Sequence, residues 1–361
     1  MKHLTFMTKT MILVLIVILT SVGSFVSSSK SKVSNVPSQK SSAIETKLKA
    51  TNGQSIGGSI IFNGICDGSA AVKLGNKTIL VAYDEINTLF AFAQSGGMPS
   101  DRIDLLEMLN LETSDEIDIE AATRSGKQIW WIGSHGLDGD GKVAPNRRIL
   151  FSTNIPSPDL SDMIIVTEPL DLTDILLSSS EVAKVLTESA VQRLPKEGGI
   201  NIEGIATNSD GGLLVGFRSP LSGENGMSGN AIIVSLLPKD ETFEVQRINL
   251  LSLDNRGIRD IANNGLEYMI VAGPVPSGGK FALYTWDGIG IPQLTTNLER
   301  LNAEGILDLG SHWLILSDDG KMKRADNEAN DGERKCDKIR KKNSKGEAHP
   351  SVFFRTKIIS K

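Results

Sequence analysis

Five acidic residues far apart in the chain share one local pattern. They are Asp67 in Cys66-Asp67-Gly68-Ser69-Ala70, Glu120 in Asp118-Ile119-Glu120-Ala121-Ala122, Glu203 in Asn201-Ile202-Glu203-Gly204-Ile205, Asp260 in Ile258-Arg259-Asp260-Ile261-Ala262 and Glu304 in Asn302-Ala303-Glu304-Gly305-Ile306. Each acid precedes small and apolar residues, then a turn, then a strongly apolar run. Carboxylates gathered at one place repel one another and drive some pKa values up unless cations stand among them. A hard cation, Ca²⁺ or Mg²⁺, would satisfy them through oxygen ligands, which makes Asp67, Glu120, Glu203, Asp260 and Glu304 candidate metal ligands. A metal-bound water would then be a nucleophile, with His135 or Glu85 as base and Glu203 at the reacting centre. Alternatively Arg218 and Arg259 neutralise the acids, or grip a small anionic ligand through bidentate hydrogen bonds together with Asp84 and Asp318. A purely architectural reading stands beside these: an acid at a strand start can accept backbone N–H bonds from a neighbouring element.

The elements that would position these groups are strands. The acids follow one another at 53, 83, 57 and 44 residues, close to the roughly 40–50-residue period of four-stranded propeller blades. The third unit is clearest, with apolar or alternating runs at 202–207, 213–217, 231–236 and 244–249 and the turn Ser209-Asp210-Gly211-Gly212. The fifth unit is one strand short, and the segment 44–50 alternates and is spare. The expectation is an all-β, five-bladed β-propeller over 44–361, six blades being the alternative, with an N-terminal strand completing the last blade and thereby removing an exposed edge. One inserted helix is expected from Thr173 to Val191, with Thr173 as its cap.

Blade geometry brings the start of the first strand and the end of the second to one face. The second place reads Tyr83-Asp84-Glu85, Ser134-His135, Phe217-Arg218-Ser219, Gly273-Pro274 and Ser317-Asp318-Asp319. A polar pocket is expected where these groups converge. The glycine-rich loop 219–230 begins at Arg218 and would gate it.

The chain has 361 residues, 40% hydrophobic and 22% charged, with a net charge of −5. Such a balance leaves no basic footprint for a nucleic-acid partner. Lys2 and Lys9 precede an apolar run, Met11 to Leu19, that fades into serines. This pattern suits a cleavable signal peptide over 1–27, followed by a Ser/Lys-rich spacer over 28–43. The expected location is periplasmic or secreted, with a membrane link only if the signal stays uncleaved. Cys66 and Cys336 are the only cysteines; one disulfide or two thiols are both open.

Several motifs, in order, resemble the bacterial domain-of-unknown-function family 3616. They are Gly64-Ile65-Cys66-Asp67-Gly68-Ser69, Tyr83-Asp84-Glu85, Ser134-His135-Gly136, Asn201-Ile202-Glu203-Gly204, Phe217-Arg218-Ser219-Pro220, Arg256-Gly257-Ile258-Arg259-Asp260-Ile261 and Tyr284-Thr285-Trp286-Asp287, with Phe354-Arg355 near the end. The resemblance implies a propeller-like fold and carries over no catalytic residue. A looser likeness, confined to the Glu-Gly-Ile repeat, reaches exported esterase-like phytase propellers. The functional expectation is an acid-rich pocket that binds or hydrolyses a small anionic ligand, the alternative being a non-enzymatic binding scaffold.

Overall fold

A computed structural model describes residues 58–83, 86–112, 116–156, 160–186, 188–276, 278–325, 333–336, 338 and 348–361. The signal and spacer segments, the strand expected over 44–50, and Asp84 and Glu85 lie outside the described residues.

Period-2 and continuous apolar runs form five four-stranded antiparallel sheets. Blade one comprises Ala70–Lys73, Thr78–Tyr83, Thr88–Ala93 and Asp101–Asp104. Blade two comprises Ile119–Ser125, Gln128–Gly133, Leu150–Asn154 and Ile165–Leu170. Blade three comprises Asn201–Thr207, Leu213–Ser219, Ala231–Lys239 and Thr242–Leu251. Blade four comprises Gly257–Asn263, Tyr268–Gly273, Phe281–Trp286 and Gln293–Leu298. Blade five takes Ala303–Asp308, His312–Ser317 and His349–Ser360 from the C-terminal part, and its outer strand is Ile61–Gly64. The innermost strands contact one another in sequence around a closed ring, blade five returning to blade one. The fold is a five-bladed β-propeller.

Each interface between adjacent blades carries its own apolar core, since a sheet with two covered faces must bury both. Trp131 fills the interface of blades one and two, and Phe217 that of blades two and three. The ring closes through aromatics: Phe62 stacks on Phe354 at 5.2 Å and meets the edge of Phe92 at 5.3 Å. Cys66 and Cys336 are joined by a disulfide with Cα atoms 5.7 Å apart, across 270 residues of sequence. It anchors the insertion of blade five, which carries the small hairpin Lys323–Ala325 and Glu333–Lys335.

The segment expected as one helix is three short ones, Thr173–Ser178, Ser180–Val185 and Glu188–Val191. Ser179 interrupts them: its backbone is extended and its hydroxyl accepts from Val182 N–H, capping the second helix. Thr173 is the first helical residue rather than the cap, and its N–H donates to Asp171. Leu172, Leu176, Val182, Leu186 and Ala190 pack into the core between blades two and three. Among the described residues no helix is long and apolar enough to cross a membrane.

Candidate functional site

The repeated motif is a register device. In blades two to five the pairing of the first strand with the second slips at a matching residue, Glu120, Glu203, Arg259 or Glu304, and blade three slips a second time opposite Arg218. A bulge re-aims its side chain, and all four line one cavity on the propeller axis, joined by Asp67 from blade one. The blade-four member of the set is therefore Arg259, not Asp260. Asp260 occupies the next column, where the other blades carry Ala121, Gly204 and Gly305. Small residues stand there because the neighbouring blade approaches closely: a Cβ on Gly204 would lie 2.9 Å from Ile258 Cγ2. Asp260 uses the column differently. It is buried, and its two oxygens accept from Ile261 N–H at 2.7 Å and, across the interface, from Ile306 N–H at 2.8 Å. Burial pushes its pKa well above the ordinary range, against the pull of both N–H groups. Asp260 latches blade four to blade five and is not part of the cavity.

The cavity measures about 550 Å³. Ends of second strands contribute Arg218, Pro274, Asp318 and Asp319, as blade geometry requires. Two arginines cross-link the acids. Glu203 Oε1 accepts from Arg218 Nη1 at 2.8 Å and Asn201 Nδ2 at 2.6 Å, and its Oε2 lies 2.9 Å from Arg259 Nε. That last contact is an ion pair too oblique for a hydrogen bond, so Glu203 Oε2 and Arg259 Nε keep unmet hydrogen-bonding positions in a buried wall. Arg259 also pairs with Glu304 and lies over the Phe281 ring, 5.5 Å from its centroid. Asn302 Nδ2 donates to Asp318 at 2.7 Å and reaches Glu304 at 3.5 Å. On the far wall Arg355 grips Asp319 with two nitrogens at 2.8 Å each.

These contacts set the titration. Burial pushes the Glu304 carboxyl up to about 7; Arg259 pulls it down, while Asp318 and Glu203 push it further up. Burial opposes the charge on Arg218, but the Glu203 carboxylate more than offsets it, with Glu304 and Glu120 adding, and its pKa stands above the ordinary value. Arg259 bridges Glu203 and Glu304, the position in which a divalent cation was expected. Those two acids are already cross-linked by guanidinium. Among the described residues no group of three or more His, Cys, Asp or Glu is arranged to hold a metal ion.

His135 does not reach the cavity. It is buried with φ +57°, its Nδ1 lies 2.9 Å from the Gly133 carbonyl, and its Nε2 accepts from Leu172 N–H at 3.2 Å. Accepting at Nε2 places the proton on Nδ1, so the ring is a neutral clamp between blade two and the helical segment. Burial lowers its pKa to about 4. The loop 219–230 contributes no residue to the cavity lining: Ser222 and Gly223 bond to Asn230 and Ser228, and Gly229 N–H donates to Asn255. The cavity wall additionally includes Lys321, Met322, Phe281 and Arg355. Their convergence with the bulge residues is tertiary. Asn302 did leave a trace, since Asn-x-Glu occurs at both Asn201 and Asn302.

No curated protein matches the chain. Solved structures resemble it at low identity. A nidogen/laminin complex matches at 12% identity and TM-score 0.37, with 73% of each chain covered. A Streptomyces coelicolor aldose sugar dehydrogenase with PQQ bound matches at 9% and 0.37, covering 85% of this chain and 99% of that one. A Myxococcus xanthus glutaminyl cyclase matches at 8% and 0.40, covering 83% and 95%. At these scores none bears on what the cavity binds. The family comparison is decisive: a single family description, protein of unknown function (DUF3616), matches residues 67–147 and 165–312, and the chain belongs to that family.

Proposed function

We propose that the axial cavity is a binding site for a small hydroxyl-rich molecule carrying one acidic group, with Glu304 as the residue that exchanges a proton with it. The observation that carries this reading is the cage of Glu203, Arg218, Arg259 and Glu304. It holds carboxylates in a cavity of about 550 Å³. Carboxylates accept hydrogen bonds from hydroxyl groups, and Glu120 and Glu304, both half-buried, line the cavity. A strongly anionic ligand would meet a wall in which the arginines are already engaged. Lys321, at the rim, is the lining cation that lacks a carboxylate partner among the described residues, and it suits a single acidic group. Phe281, Pro274 and Pro276 provide an apolar side for the ligand's carbon skeleton. Because the Glu304 pKa of about 7 is close to neutrality, that carboxyl is suited to general acid–base work.

The test is calorimetric titration of the full-length chain with gluconate, galacturonate, their neutral counterparts, simple phosphoesters and lactones. Hydroxy acids should bind saturably, and Glu304→Gln should weaken them about tenfold, the worth of one charged hydrogen bond. Silence toward every compound, or indifference to Glu304→Gln, would defeat the reading.

We further propose export from the cytoplasm. The basic and apolar residues of the first 27 positions support it, as does the Cys66–Cys336 disulfide, since such bonds persist in oxidising compartments. N-terminal sequencing of protein from the periplasm or medium checks this; an intact Met1 in the cytoplasmic fraction would contradict it.

A further inference from the structure

The innermost strands end at a second mouth, at the opposite end of the axis from the acid-lined cavity. All five blades contribute to a separate cavity there of about 220 Å³. Its charged lining is Lys73 at the end of the blade-one strand, Arg124 in the blade-two strand and Asp308 at the end of the blade-five strand. The acid is already occupied. Lys361 Nζ lies 2.7 Å from Asp308 Oδ1 and 4.6 Å from the Trp313 ring centroid, so that ammonium is held by both a carboxylate and an aromatic face. The two cations are differently placed. Among the described residues neither Lys73 nor Arg124 has a carboxylate partner. Arg124 Nη1 donates to the Lys73 carbonyl at 3.4 Å, which carries the guanidinium across the blade interface to the strand bearing Lys73.

We infer that this second mouth is a binding site for a small oxyanion, a phosphate or a carboxylate, held between Lys73 and Arg124. A guanidinium presents a planar fork of N–H donors that matches such a group, and the ammonium adds a point charge. The two residues come from adjacent blades and line the same cavity. This site is independent of the acid-lined cavity and does not rest on the function proposed for it.

The test is isothermal titration of the full-length chain with inorganic phosphate and, separately, acetate. The tighter of the two identifies the preferred oxyanion. One saturable site is expected. Lys73→Ala and Arg124→Ala should each weaken it about tenfold or more, as loss of a charge-assisted hydrogen bond does, and Arg124→Lys should recover part of the loss. Glu304→Gln and Lys321→Ala, in the other cavity, should leave it unchanged. Circular dichroism and melting of each variant establish that it is folded. Absence of saturable uptake of both anions, uptake that survives Lys73→Ala and Arg124→Ala, or uptake that follows Lys321 would overturn the inference.

Discussion

The two mouths of the axial channel are built from the same five strands, yet they hold charge in opposite ways. At the strand starts, bulges swing Glu120, Glu203, Arg259 and Glu304 inward, and acids and arginines pair with one another. At the strand ends the pairing is regular, and among the described residues neither Lys73 nor Arg124 pairs with an acid, the nearby Asp308 being held by Lys361. The first arrangement is costly to disturb because its ions are desolvated. The second is open and costs the fold little. A propeller can therefore use one end of its axis as a rigid polar cage and the other as a simple charged opening.

The largest effect should come from breaking the cage. Glu203 and Arg259 are each 3% exposed, so Glu203→Ala leaves Arg259 and Arg218 without their shared counter-ion. Removing one partner of a buried pair costs ~3–5 kcal/mol, measurable as a lowered midpoint in urea unfolding. An unchanged midpoint would mean that water already reaches the cage.

The disulfide should matter next, and chiefly at the acidic mouth. Cys66 precedes Asp67, and its carbonyl accepts from Asp319 N–H at 3.1 Å. Replacing Cys66 and Cys336 by serine removes a cross-link closing a loop of 270 residues, a loss of ~2–5 kcal/mol. Gluconate binding should fall with it while phosphate binding at the other mouth persists.

A smaller effect separates Glu304 from His135 through pH. Glu304 has a folded pKa of about 7 against 4.5. Its stabilising contribution is therefore full below pH 4.5 and fades as pH rises through 7. His135 stands at about 4 against 6.5. Its contribution is full above pH 6.5 and fades as pH falls through 4. Each slope reaches ~1.4 kcal/mol per pH unit, and where the two ranges overlap they oppose. Relative to the parent, Glu304→Gln should show stability rising more steeply with pH over this window, and His135→Gln should show it falling. The reverse signs in urea titrations would contradict both assignments. Smallest of all, Lys73→Ala and Arg124→Ala should shift stability by less than ~0.5 kcal/mol, since among the described residues neither side chain is engaged with an acid.

Much of the acidic mouth, and none of the other, was legible in the residues. Apolar alternation and the recurring acid motif revealed the propeller and the face on which Asp67, Glu120, Glu203 and Glu304 converge. Aligning the motif by its acids put Asp260 in the set, because a bulge is a property of strand pairing and the single sequence does not display it. Aligned on Ile119, Ile202, Ile258 and Ala303 instead, the column reads Glu, Glu, Arg, Glu. His135 follows its acid at the same spacing as Arg218 and Asp319 follow theirs. Its fate was decided by Leu172, 37 residues away, whose N–H claims Nε2. The helix broke because Ser179 offered its hydroxyl to Val182, a local competition that apolar spacing does not weigh. The closing strand, Ile61–Gly64, lies nearer the first blade than the spare segment 44–50 suggested.

The most direct test of the account is one calorimetric titration with gluconate, run on the wild-type chain, Glu304→Gln and Lys73→Ala. A caged acidic mouth that binds hydroxy acids predicts saturable heat in the wild type, a loss of about tenfold in Glu304→Gln and no change in Lys73→Ala. Absence of saturable heat in the wild type, or a loss that follows Lys73 instead of Glu304, would contradict it.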